Sequence, residues 1–267
     1  MPIVDRGSGV PVVMIPGIQG RWEWMAPAID ALAERCRVIT YSLCDEPSSG
    51  FALDPERGVE NFLSQIESVL DSSRVSDAVL MGVSYAGPIA TEFAVRHPHR
   101  VRALMLVSAL PPDWQPDRRA RFYMRAPRLF SPIFLLDAPM RAQPEIRAAF
   151  PQLRHRLRFS LHQARTLLQC SISPARMARR ISWLKQFQFS DPSAFTKPAM
   201  VITGEPGLDR VVRPELTRRY LDALPQASYA VLSRTGHLGV STRPKEFAEL
   251  VHRFLEGVAT DVRRASA

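Results

Sequence analysis

The stretch Ala78-Val79-Leu80-Met81-Gly82-Val83-Ser84-Tyr85-Ala86-Gly87-Pro88-Ile89-Ala90 decides how the rest of the chain reads. An apolar run stops at Gly82-Val83-Ser84, small residues follow, and Thr91-Glu92-Phe93-Ala94-Val95 goes on with helical character. The order is strand, sharp turn, helix, with Ser84 at the tip. A serine there needs strained backbone angles, which only small neighbours tolerate; Gly82 lies two residues before it, and Ala86 and Gly87 two and three after. Such a turn lifts the hydroxyl off the carboxyl edge of a sheet. It also sets it at a helix N-terminus, whose N–H groups favour a developing anion. The pattern is a nucleophile elbow, Gly-x-Ser-x-Gly, with Ala86 in the last glycine place and a glycine one position later. A Gly-x-Ser turn alone is common, so its context has to carry the argument.

Upstream, Val10-Pro11-Val12-Val13-Met14-Ile15 is a nearly all-apolar run ending in Pro16-Gly17, the mark of a buried parallel strand feeding a tight loop. Helical spacing over 24–35, a β-branched strand over 37–43, a polar loop over 44–55 and a helix over 59–71 lead into the elbow. Downstream, His97-Pro98-His99-Arg100 breaks the helix and Val101 to Val107 is another strand. Alternation at this spacing predicts a parallel sheet with helices on both faces. It lapses over 111–190, which hold many prolines and no clear strands, with helices expected at Glu145–Phe150 and Pro151–Cys170. It resumes with a strand over 198–204, a helix over 214–224, a short strand over 228–232 and a helix over 244–255, and a frayed tail is expected from Gly257. The expected organisation is an α/β core over 1–110 and 191–267, with 111–190 as a mobile helical cap. Ligands in open α/β sheets sit at the strands' carboxyl ends, so a cap leaving that edge lies over Ser84.

A serine hydroxyl needs a base, and the base needs an orienting acid. The base is assigned to His237, in the loop after the last strand, which emerges at the edge that carries Ser84. The acid should follow an earlier strand; Asp209 is the choice, with Asp113 and Glu205 as rivals. Oxyanion donors, each worth about 2.7–4 kcal/mol, fall to the backbone N–H groups of Tyr85 and Ile18.

With these residues in view, the chain resembles the α/β-hydrolase fold superfamily over about 10–110 and 195–256. The carriers are Ile15-Pro16-Gly17, Gly82-Val83-Ser84-Tyr85-Ala86-Gly87, Thr203-Gly204 with Leu208-Asp209, and Gly236-His237. Serine at position 84 is similar to the esterase-like members, not to the dehalogenases and epoxide hydrolases, which carry aspartate there. Three departures stand out: Pro16 in place of a common His, Ala86 in place of Gly, and Gly207 where the family often has its Asp, two residues before Asp209. The resemblance implies a mostly parallel twisted sheet, hydrolysis of an ester, thioester or related acyl bond, and neither metal nor organic cofactor. C–C bond hydrolysis, acyl transfer to another acceptor, and a non-catalytic receptor using the same pocket stay open. The chain itself shows no His/Cys ligand cluster.

Composition bounds the rest. At 267 residues and 46% hydrophobic, the chain can bury a full core. The first residues lack the apolar centre of a signal peptide, and no run approaches the roughly 18 apolar residues of a membrane span. Cys36, Cys44 and Cys170 have no metal-like spacing and read as reduced thiols of a cytoplasmic protein. The net charge is +9, yet 111–190 hold fifteen Lys and Arg against four Asp and Glu, while the remainder holds twenty against twenty-two. A nucleic-acid partner is not favoured, because that segment shows no nucleic-acid motif. An anionic substrate or an acidic acyl-carrier partner fits the charge better. Leu129, Phe130, Ile133, Phe134, Leu135 and Leu136 are expected to pack cap to core or to line an acyl channel.

Overall fold

The computed structural model describes residues 1–111, 113–170 and 172–265; the side chains of Phe134, Leu135 and residues 259–265 are not described. Pro112, Ser171, Ser266 and Ala267, which fall inside the expected segments, also lie outside the described residues. Among the described residues, seven strands form one sheet: β1 (Ile3–Arg6), β2 (Val10–Ile15), β3 (Cys36–Tyr41), β4 (Ala78–Val83), β5 (Val101–Val107), β6 (Ala199–Gly204) and β7 (Ala227–Leu232). Their order is β1-β3-β2-β4-β5-β6-β7. All neighbours run parallel except β1, which pairs antiparallel with β3. The helices are α1 (Ala26–Leu32), α2 (Glu60–Ser72), α3 (Ala86–Arg96), α4 (Arg118–Arg125), α5 (Ser131–Ala149), α6 (Leu153–Gln169), α7 (Pro174–Gln186), α8 (Pro214–Arg218), α9 (Tyr220–Ala223), α10 (Gly239–Thr242) and α11 (Pro244–Ala265).

The strands alternate with period two between two cores, as a sheet covered on both faces requires. In β2, Val12 and Met14 join the layer of α1 and α11, while Val13 and Ile15 join the layer of α2 and α3. In β5, Ala103 and Met105 join the first layer and Leu104 and Leu106 the second. The strand order places the site. From β2 the chain steps outward to β3, then crosses back to β4 on the other side of β2. The loops after β2 and β4 therefore diverge, leaving a crevice at their carboxyl ends, the usual ligand position in such sheets.

Three expectations change. β1 is an additional edge strand, held by the β3 ladder and an Arg37–Asp5 ion pair at 2.7 Å. α5 runs from Ser131, straight through Pro139 and Pro144, instead of starting near Glu145. An interior proline deletes one backbone bond and kinks a helix without having to end it. α11 continues past Gly257 to Ala265. The buried stripe Phe247, Val251, Leu255 and Val258 carries the helix through a glycine that costs only about 1 kcal/mol. Among the described residues, four α-helices, α4 to α7, lie between β5 and β6. Among the described residues no helix is long and apolar enough to cross a membrane.

Candidate active site

Ser84 follows β4 directly and has φ of +54°, in the left-handed region that a non-glycine residue occupies at a cost of about 1–3 kcal/mol. The turn is over-determined. The Ser84 N–H donates to Val107 O at 2.9 Å, and the Ser84 carbonyl accepts from Gly87 and Leu110, each at 3.0 Å. Gly82 has no room for a side chain, since a Cβ there would lie 2.7 Å from the Ala86 carbonyl. Ala86 is fully buried at the start of α3, so the motif tolerates a methyl there but not at Gly82.

The loops after β6 and β7 pack backbone against backbone. A Cβ on Gly236 would lie 2.5 Å from the carbonyl carbon of Leu208, so only glycine lets the acid-bearing and histidine-bearing loops meet. Asp209 is buried; its Oδ1 accepts from the N–H groups of Val211 at 2.9 Å and Val212 at 2.8 Å. Its Oδ2 faces His237 Nδ1 at 3.1 Å, and His237 Nε2 faces Ser84 Oγ at 2.9 Å. A carboxylate only accepts, so it holds the imidazole proton on Nδ1 and leaves Nε2 to accept from the serine hydroxyl. Burial alone would push His237 down; the Asp209 carboxylate, aided by Glu145, outweighs it and leaves the imidazole above its ordinary value. The rival acids stand apart. Asp113 is exposed and paired with Arg219, and Glu205 accepts from the Arg234 N–H at 2.8 Å.

The loop after β2 is a tight turn closed by the Gly20 N–H on Gly17 O at 2.9 Å. A Cβ placed on Gly17 would lie 3.6 Å from the Cβ of Ser84, so this loop borders the serine. Among the described residues, the backbone N–H groups of Ile18 and Tyr85 donate to no protein acceptor. The Ile18 carbonyl accepts from Arg180 Nη1 at 2.5 Å. Arg180, from α7, is fully buried and pairs with Asp45 and Glu46 in the loop after β3. Arg176 and Arg179 join the same two carboxylates at 2.9 and 3.1 Å. The Tyr85 hydroxyl donates to the Arg180 carbonyl at 3.0 Å. So α7 grips both sides of the crevice. From α5, Glu145 reaches the other wall: its Oε1 accepts from Thr235 Oγ1 at 2.8 Å and from the Leu238 N–H at 2.7 Å, on either side of His237. Burial raises the Glu145 carboxyl above the ordinary range, against the opposing pull of these bonds and of His237.

A model of the alpha/beta hydrolase family matches residues 12–250. This chain belongs to that family. Among curated relatives, a RutD protein of Azorhizobium caulinodans, provisionally named a carbamate hydrolase, is 33% identical over 142 residues, 52% of this chain and 51% of that one. The chain thus spans about half of that relative's length. The 2-hydroxy-6-oxo-2,4-heptadienoate hydrolase of Pseudomonas putida is 24% identical over 261 residues, 94% of this chain and 91% of that one. Among solved structures, an esterase from Exiguobacterium antarcticum superposes with a TM-score of 0.75 at 19% identity, covering 95% of this chain and 94% of that one, a likeness of fold.

Within this alpha/beta hydrolase, the structure brings together Ser84, His237 and Asp209 and leaves Asp113 and Glu205 outside. Pro16 replaces a side chain only, so the turn that presents the Ile18 N–H is intact. Sequence reasoning missed Glu145 and Arg180. Glu145 carried one signal, a lone acid in a basic segment, with no Asp or Glu between it and Asp191. Arg180 carried none, being one of three arginines in Arg176-Met177-Ala178-Arg179-Arg180. The cysteines are unpaired and buried. Burial pushes the Cys44 thiol up to about 12 and the Cys170 thiol up to about 11, so neither supplies a thiolate near neutral pH. Among the described residues, no group of three His, Cys, Asp or Glu side chains is arranged to hold a metal.

Proposed function

We propose that the chain is a serine hydrolase that cleaves an ester, thioester or related acyl bond through an acyl-Ser84 intermediate. The observation that carries this reading is the unbroken hydrogen-bonded line from Asp209 through His237 to Ser84, with a strained backbone at the serine. Ser84 Oγ attacks the acyl carbon as its proton passes to His237 Nε2, and Asp209 stabilises the imidazolium through Nδ1–H. The carbonyl oxygen becomes an oxyanion facing the Ile18 and Tyr85 N–H groups. As the intermediate collapses, His237 gives its proton to the leaving group and the acyl group stays on Ser84. Water then attacks, His237 taking one proton and returning it to Ser84 Oγ as the acid departs. The residues involved need no metal and no organic cofactor for these steps.

Acyl-chain and carboxylate-bearing esters form the first substrate class, in keeping with the basic segment beside the site. A second class is retained because the relative that aligns along 94% of this chain is a 2-hydroxy-6-oxodienoate hydrolase. The experiment is a fluorophosphonate label followed by peptide mapping, run with a panel of aryl esters, acyl thioesters and a 2-hydroxy-6-oxo-2,4-dienoate. One adduct, at Ser84 and absent in Ser84→Ala, is the expected result. Labelling that persists unchanged in Ser84→Ala would overturn the reading. Ser84→Ala and His237→Ala should each lower kcat by roughly 10⁴–10⁶, as in triads whose members act as a unit.

A further inference from the structure

Among the described residues, most of the exposed large apolar side chains sit on α4 to α6 and the turns between them, in a regular arrangement. In α6, Leu153, Leu157, Leu161 and Leu168 are all exposed, Leu168 to 86%. At 100° per residue they fall within an arc of about 80°. Arg154, Arg158 and Arg165, also exposed, fill the adjoining arc. Phe159 and Thr166, which are buried, lie on the opposite side. So α6 touches the molecule along a narrow seam and turns a leucine stripe, bordered by arginines, to the outside. The preceding helix, α5, also carries an exposed apolar line. In α5, Ile133, Leu136 and Met140 are exposed along one line, while Glu145 and Ala149 are buried on the other. The expectation that residues 129–136 pack cap to core or line a channel is thereby corrected: Leu129, Ile133 and Leu136 face outward. Phe130 is half-buried and stacks on Phe122 at 4.1 Å, and the Phe134 and Leu135 side chains lie outside the described residues.

A monomer rarely leaves such stripes bare, so the question is what covers them. Charge chooses among the candidates. No Asp or Glu occurs between Glu145 and Asp191, so all charge along α6 is positive. A second copy packed through the same face would bring like charge against like. A leucine stripe edged by arginines is the form of a helix lying in a lipid interface. There the leucines enter the acyl boundary and the guanidinium groups meet phosphates.

We propose that the exposed leucine and arginine face of α6 docks on an anionic phospholipid surface. The inference is independent of the reaction assigned to Ser84, because binding is read without turnover.

The test is flotation of the full chain with vesicles of phosphatidylcholine alone or mixed with phosphatidylglycerol, over a range of salt. Binding to the mixed vesicles only, weakening as salt rises, is expected. Leu157→Glu with Leu161→Glu should reduce it at least tenfold. Each of Arg154→Gln, Arg158→Gln and Arg165→Gln should reduce it about fivefold. All these positions are exposed, so unchanged circular dichroism and an unchanged rate on a water-soluble ester are expected alongside. Equal binding to both vesicle types, or loss with the arginine variants but not the leucine pair, would overturn the proposal. So would absence of binding to the mixed vesicles, with a concentration-dependent dimer or capture by an acidic acyl-carrier protein that Leu157→Glu abolishes then naming the occupant instead.

Discussion

At the scale of single residues, the proton economy of the site turns on His237 and the charges around it. Asp209 and Glu145 raise its affinity for a proton, and Arg141, also from α5, lowers it. The acid limb of kcat/KM reports the free enzyme's base, and activity appears as that base loses its proton. Because the imidazole sits above its ordinary value, the limb should lie above pH 6.5. Glu145→Gln keeps an oxygen for the Thr235 and Leu238 donors but removes a negative charge. The limb should then move to lower pH, making the variant relatively more active in acid, with little change in Tm. A limb that stays in place would reduce Glu145 to a structural peg. Asp209→Asn removes the stronger charge and the tautomer lock, so it should also lower kcat strongly while leaving folding nearly intact. Ser84, His237 and Asp209 were legible because each follows a strand at one sheet edge, a position that spacing reveals. Glu145 was not, since its partners lie 90 and 93 residues away and no spacing rule joins them.

At the scale of elements, α7 fixes the crevice through an ion cluster taken almost wholly out of water. Asp45 and Glu46 are buried to 0% and 2% side-chain exposure, and Arg180 to 1%. Arg180→Met would leave two buried carboxylates with only the more peripheral Arg176 and Arg179. Breaking a buried pair from one side costs about 3–5 kcal/mol, and urea unfolding should show a loss of that order. Adding Asp45→Asn and Glu46→Gln should restore most of the midpoint, because the stranded charges are gone. An unchanged midpoint in Arg180→Met would mean that the cluster contributes nothing net. The activity of the restored triple variant should stay low, since the Ile18 carbonyl still lacks its donor. The parallel strands β2 to β6 were legible as apolar runs, being largely buried on both faces, while the edge strand β7, with Ser228, Tyr229 and Val231 exposed, was legible as a shorter one. β1 escaped because Ile3-Val4-Asp5-Arg6 has two exposed polar residues and gains its conformation from pairing with β3.

At the scale of the whole molecule, the sequence shows how much charge each segment carries but not where it points. The segment 111–190 carries a formal +11 and the rest −2. Folding spends part of that surplus inward, on Asp45 and Glu46 through Arg176, Arg179 and Arg180. What remains outward is concentrated on α4 to α6. Arg118, Arg121 and Arg125 with Phe122 line a cavity of about 330 Å³ on α4. A one-sided positive field of this kind raises encounter with anions by about ten- to a thousandfold at low salt, and a Debye length of about 10 Å at 0.1 M removes much of the gain. The prediction follows for two water-soluble esters that differ only in a remote carboxylate. At low salt kcat/KM should favour the carboxylate-bearing ester, and the ratio should fall steadily as salt rises, while the neutral ester changes little. Arg118→Gln with Arg121→Gln and Arg125→Gln should shrink the low-salt ratio without altering the high-salt rate, because screening has already removed their contribution there. If the ratio is flat in salt for the parent chain, the outward arginines steer nothing toward Ser84.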